Sequence, residues 1–123
     1  MVNALIAIIG ALKAHVSVPV ASRVPANRPG GAFIRVEAAP QTAYSPAHDR
    51  TLVIVEVYGP HTKARDVLDT VRQCRDFLRF DLPQDGGLIA WEEVTGPVEF
   101  LDPDLAATHT RWQFTGNLFT SSM

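Results

Sequence analysis

The sequence carries a single cysteine, Cys74, which excludes an internal disulfide and makes a reducing cytoplasm the expected setting. It also lacks an apolar run of the ~20 residues that a bilayer span requires. Its most aliphatic stretch, from Val2 to Val16, has no positive leading segment, and Lys13 and His15 stand at its far end. That pattern predicts a soluble helix and no membrane partner, not a signal peptide. Between Arg79 and Arg111 there is neither Lys nor Arg, while Asp81, Asp85, Glu92, Glu93, Glu99, Asp102 and Asp104 all fall there. A surface built from that stretch repels phosphates and excludes a nucleic-acid groove in that half.

Catalytic signatures are missing as well. His15, His48, His61 and His109 have no zinc-site spacing, and Cys74 has no second thiolate near it. No serine sits in a nucleophile elbow, and Gly30-Gly31 and Gly86-Gly87 read as turns rather than phosphate loops. Glu92 and Glu93 are neighbours on a predicted strand, so their carboxylates leave on opposite faces and cannot share a substrate. Asp102 and Asp104 flank a proline and suit a turn in which Asp bonds its own backbone. The expectation is a protein with no catalytic residue, no metal and no cofactor.

What is present is a pattern of elements within 123 residues, enough for one domain, residues 1–123, with one core. A helix is predicted over Ala4 to His15, capped by Asn3, with Leu5, Ile8, Leu12 and Val16 at helical spacing. Ile6 and Ile9 widen its apolar face beyond what one sheet covers, which points to a second covering surface. Prolines and glycines break the chain from Ser17 to Gly31, leaving room only for a short edge strand within Val20 to Val24. Ala32 to Ala38 alternates, with Ile34 and Val36 inward. Ala39 to Asp49 has no periodicity and reads as a mobile loop. Thr51 to Tyr58 is apolar on both faces and predicts a central strand.

Thr62 then caps a predicted helix to about Phe80, with Ala64, Val67, Leu68, Val71, Cys74 and Leu78 as its stripe. Arg65–Asp69 and Arg72–Asp76 are spaced for i,i+4 pairs on its wet side. Strands over Leu88 to Val94, continuing after a bend through Val98 to Leu101, and over Thr110 to Thr120 complete the set. The expected fold is α+β, a mainly antiparallel sheet of four to five strands with two helices packed on one face.

In order along the chain stand Arg23-Val24-Pro25 with Arg28-Pro29, Phe33-Ile34-Arg35-Val36-Glu37, and Asp49-Arg50 leading into Leu52-Val53-Ile54-Val55-Glu56. The second half adds Glu93-Val94-Thr95-Gly96-Pro97, Asp102-Pro103-Asp104 and Arg111-Trp112-Gln113-Phe114-Thr115. This ordered set resembles the tail terminator proteins of siphophages, particularly those of phages infecting actinobacteria, over nearly the whole chain. The resemblance implies a virion structural protein made in the bacterial host's cytoplasm and placed at the head–tail junction. It implies a hexameric ring of identical subunits that caps the tail tube protein and meets a head-completion or connector protein, with DNA only as passing cargo. It carries no catalytic residue. A departure from it is the strongly aliphatic first helix.

A cyclic ring needs two unlike, complementary patches on each subunit. The candidates are Ile6 and Ile9 on the first helix and Leu52 and Ile54 on the outer face of the central strand. Gln41, Tyr44 and His48 belong to a loop expected to order on docking, and Trp91 is a candidate exposed contact residue. Glu92, Glu93 and Glu99 are expected to line the channel, where negative charge keeps passing DNA from adhering. Charge reversal of these three acids should slow genome passage; infectivity assays that show no change would remove that role.

Overall fold

The computed structural model describes residues 1–122, and its elements follow the chain as two helices and six strands. Helix α1 (Ala4–His15) begins where Asn3 accepts a bond from the Ile6 amide at 3.0 Å. Strand β1 (Val20–Ala21) is followed by β2 (Phe33–Ala38), β3 (Thr42–Ala43) and β4 (His48–Pro60). A 3-10 turn (His61–Lys63) leads into α2 (Ala64–Phe80), and β5 (Leu88–Glu99) and β6 (His109–Ser121) end the fold. The sheet order is β1-β2-β4-β6-β5, with β3 paired to β4 off that path.

The sheet is mainly antiparallel, as expected, but has six strands instead of four to five and is mixed at one edge: β1 runs parallel to β2, aligning Val20 with Ile34. The proline-rich segment between them returns to the starting end of the pair instead of turning tightly, with Val24 packed against Phe33, Tyr58 and Leu105 on the way. All other pairings are antiparallel, and β4 is central, flanked by β2 and β6.

Both helices cover one face of the sheet. Ile8 and Leu12 of α1 and Val67, Val71, Cys74 and Leu78 of α2 join one buried cluster with Val36, Val53, Val55, Val57, Phe114 and Leu118. Cys74 is fully buried in this core, and burial pushes its thiol up to about 12. Some details differ from the sequence expectation. Thr62 does not cap α2; it lies in the 3-10 turn, and no side chain caps the helix start. Leu68 is 43% exposed, and Thr70 and Phe77 take the inward positions instead. On the wet side Arg72 pairs with Asp69 at i,i+3, at 3.0 Å, rather than with Asp76. Strand β5 continues through the expected bend at Gly96-Pro97, and its pairing with β6 shifts register at three places, one of them across that bend, between Thr95 and Val98.

The stretch from Ala39 to Asp49 is not an irregular loop. It holds β3, and the Gln41 side chain ties three distant parts together. Its Nε2 donates to the Val2 carbonyl at 2.7 Å and to Asp49 Oδ2 at 2.9 Å, while its Oε1 accepts from the Ala4 amide at 2.9 Å. A free donor in the first turn of α1 is thereby satisfied.

Packing on the helix side includes a close approach at Gly116, where a Cβ would fall inside the Trp91 indole. Trp91 is half-buried there, edge-on to Phe114 with ring centroids 6.2 Å apart. The absent side chain is what seats the ring. Gly116→Ala is therefore expected to cost about 1–3 kcal/mol, read from urea denaturation. An unchanged midpoint would show that the indole does not need that space.

Candidate interaction surfaces

The face of the sheet opposite the helices is closed at one end and open at the other. At the closed end the 100–108 connection folds over it. Leu105 packs with Phe33 and Tyr58, and Val24 joins them. The Phe33 and Tyr58 rings stack with centroids 5.0 Å apart.

Beneath this cover lies a buried charge cluster that the sequence reading passed over. Arg111 donates through Nη1 to Glu56 Oε2 at 2.8 Å and to the Tyr58 hydroxyl at 3.2 Å, and through Nε to the Phe100 carbonyl at 2.6 Å. The Tyr58 hydroxyl donates to Asp102 Oδ2 at 3.2 Å, which holds the connection down. Arg35, paired with Glu37, sends its Nε to within 3.5 Å of Glu56 Oε1. Burial pushes the Glu56 carboxyl above the ordinary range, against the lowering pull of Arg111 and Arg35. The signal was available: Glu56 is a lone acid within an apolar central strand, and a buried charge requires a partner.

At the open end the apolar side chains have no cover. Leu52 is 38% exposed and Val94 55%, and with Arg50 and Asn117 they line a shallow hollow of about 400 Å³. Ile54 is half-buried on the same face. Tyr44 is exposed, edge-on to Phe119, with the Arg50 guanidinium 5.3 Å from its ring centre. Of the residues expected at interfaces, Leu52, Ile54 and Tyr44 thus share this face.

A second uncovered surface lies on the helix layer. Ile6 is 70% exposed, whereas Ile9 is half-buried against the core. The outward side of α1 forms a wall of a groove of about 510 Å³, closed on the other side by Phe77, Pro83, Gly86 and Leu88. His15 stacks on Phe77 at its rim, with ring centroids 4.2 Å apart.

Three of the expected contact residues are engaged within the chain instead. Gln41 makes the internal ties described above. His48 is half-buried, with Nδ1 3.0 Å from the Ser45 hydroxyl. Trp91 is half-buried, seated over Gly116 on the helix side. For Gln41 and Trp91 packing between distant parts of the chain, invisible to local spacing, claimed the side chain; His48 is held within its own turn.

The acids expected to line a channel do not share a face. Glu92 is exposed on the open face, where it accepts from Asn117 Nδ2 at 3.4 Å. Glu93 turns to the helix side and takes a two-pronged bond from Arg75, at 2.6 and 2.9 Å. Glu99 accepts from the Thr110 hydroxyl at 3.3 Å. Asp102 accepts from the Asp104 amide at 2.9 Å, the self-bonded turn that the spacing predicted. His61 meets the Ala106 carbonyl at 2.8 Å, and His109 Nδ1 lies 2.7 Å from the Thr108 hydroxyl. Among the described residues no group of three or more His, Cys, Asp or Glu is arranged to hold a metal. Among the same residues no helix is long and apolar enough to cross a membrane.

Hydrogen bonding from Arg75 holds the Glu93 carboxyl below the ordinary carboxylate range. A carboxyl lowered by folding lends stability that is complete above its unfolded value and is lost as pH falls through the lower folded one. Glu93→Gln should therefore reduce stability at neutral pH, by less than about 1 kcal/mol because the pair is partly exposed. In strong acid the two proteins should unfold alike. Denaturant titrations at both pH values check this, and an equal deficit at each would assign the loss to something other than the ion pair.

No family model and no curated protein matches the sequence. The fold does have a counterpart among solved structures, in a chain from the virion of a native gene transfer agent (GTA) particle. The two superpose with a TM-score of 0.59 at 15% identity, covering 90% of this chain and 84% of that one. At that identity the likeness is one of fold: this chain shares the architecture of a component of that particle.

Proposed function

We propose that this chain is a structural subunit of a phage-like virion, and within it the tail terminator. In this reading it forms a ring, taken as hexameric, that caps the tail tube, stops its growth and joins it to the head-completion complex. The observation that carries the reading is the fold likeness to a gene transfer agent virion chain over 90% of this one. The ordered resemblance of its segments to siphophage tail terminators narrows it from virion component to terminator.

Two features of the surface support a ring. One chain presents two unlike apolar areas, the groove beside α1 and the open sheet face, as heterologous contacts between identical subunits require. A role without catalysis suits the groove, whose walls are Ile6, Gly10, Phe77 and Leu88, with only His15 and Asp85 as titratable members of its lining. A catalytic pocket would be expected to bring several polar groups to one point. In the proposed ring DNA passes as cargo and makes no specific contact. Glu93, committed to Arg75, is then the poorest of the three candidates to face it.

The test is tube length. The tube protein encoded with this chain should, when produced with it, give tubes ending in a cap and of limited length under the electron microscope. Tubes equally long and uncapped with and without the chain would refute the terminator role, and would direct attention to a head-closure or other neck position.

A further inference from the structure

The outward side of α1 and the hollow of the open sheet face are both apolar and complementary in charge. On the outward side of α1, Ile6, Gly10 and Lys13 follow one another at helical spacing, and all three are exposed. The missing side chain at Gly10 leaves a dip between Ile6 and Lys13, and nothing lies within 4 Å of where a Cβ would stand. Asp85 lines the far side of the same groove. On the open sheet face, Leu52 and Val94 stand beside each other around one hollow, with Arg50 on one side. Glu92 lies on the other, aligned with Asn117, which is itself aligned with Leu52.

Each surface therefore has an apolar middle with one cation and one anion at its margins. Lys13 follows Gly10 on the outward side of α1 and Asp85 lines the groove beside it; Arg50 and Glu92 lie on either side of the hollow. None of these four charges forms an ion pair among the described residues. Helix α1 contains no acidic residue at all, and its aliphatic character on both sides is that of a helix meant to be covered on both. The sheet has a helical layer on one face and lacks one on the open part of the other.

We infer that the occupant of the open sheet face is α1 of a second copy of this chain, with Leu52 and Val94 set against Ile6 and Gly10. Lys13 then faces Glu92 of the second copy, and Asp85 faces its Arg50. The contact is head-to-tail, since each copy offers its α1 to one neighbour and its open sheet face to another, and repeated around an axis it closes a ring. The inference rests on the ring reading above and adds the two faces that meet in it.

Cross-linking tests the pairing directly. Full-length Ile6→Cys and Leu52→Cys chains, one carrying an affinity tag, are mixed and oxidised, both as purified protein at high concentration and on capped tubes. The native Cys74 does not compete, being fully buried with its thiol pushed up to about 12. The expected result is a mixed disulfide in several-fold excess over either like-with-like product. Absence of the mixed product in both samples, or dominance of the Ile6→Cys homodimer, overturns the inference. Capping of the same tubes is scored separately, so normal caps without the mixed product would refute this pairing and leave the proposed function standing. Lys13→Glu and Glu92→Lys should each lower the yield several-fold, and the two together in one chain should restore it. A double variant no better than the singles would refute the Lys13–Glu92 contact.

Discussion

The structure depends on β4 being buried along most of its length on both sides, with a charge in the middle of it. Val53, Val55 and Val57 meet the helices, and Glu56 and Tyr58 point the other way and are buried as well. A carboxylate 3% exposed must be paired, because leaving a buried charge unmatched costs about 3–5 kcal/mol, a large part of the ~5–15 kcal/mol that holds a domain together. Arg111 is the direct partner, and it is itself 8% exposed. Neither charge would stay dry without a lid, which the 100–108 connection supplies through Asp102, Phe100 and Leu105. The pair is thus the reason that this connection lies on the sheet rather than in solvent. By covering one end of the face it also fixes where the uncovered end begins, at Leu52 and Val94.

The parts of this arrangement that follow from local periodicity were legible in the sequence. The double apolar face of Thr51 to Tyr58 announced the central strand, and the stripe through Val67, Val71, Cys74 and Leu78 announced the inner side of α2. Asn3 as a cap and the Asp102-Pro103-Asp104 turn are likewise local chemistry, settled within a few residues. What stayed hidden was set by partners far away in the chain. Gln41 has the composition of a loop residue, and only the placement of Val2, Ala4 and Asp49 around it makes it a structural tie. Trp91 has the look of an exposed aromatic on an acidic strand, until Gly116 on the adjacent strand leaves space for its ring. The parallel direction of β1 depends on how the segment after it returns to β2, which no period in the sequence encodes. The candidate surfaces were legible only in part for the same reason: Ile6 and Leu52 are exposed where spacing put them, Tyr44 sits in a stretch without periodicity, and the complementary charges beside them became visible once the strands were in register.

The edges of the sheet explain why contacts between copies should run through faces. An unpaired edge strand normally invites a neighbour to extend the sheet, and proteins blunt it by bulges, charges and proline. Strand β5, 12 residues long, shows all three: its register against β6 shifts at three places, Glu92 and Glu99 lie along it, and Pro97 has no amide hydrogen to donate. At the other edge β1 is 2 residues long, too short to template a ladder. Extension of the sheet from copy to copy is therefore disfavoured at both ends. What remains uncovered is apolar and lies on a helix and a sheet face, and surfaces of that kind are covered by packing side chains, not by main-chain hydrogen bonds. An assembly built from this chain is accordingly expected to be sensitive to the size and charge of a few exposed side chains and indifferent to the backbone of its outer strands.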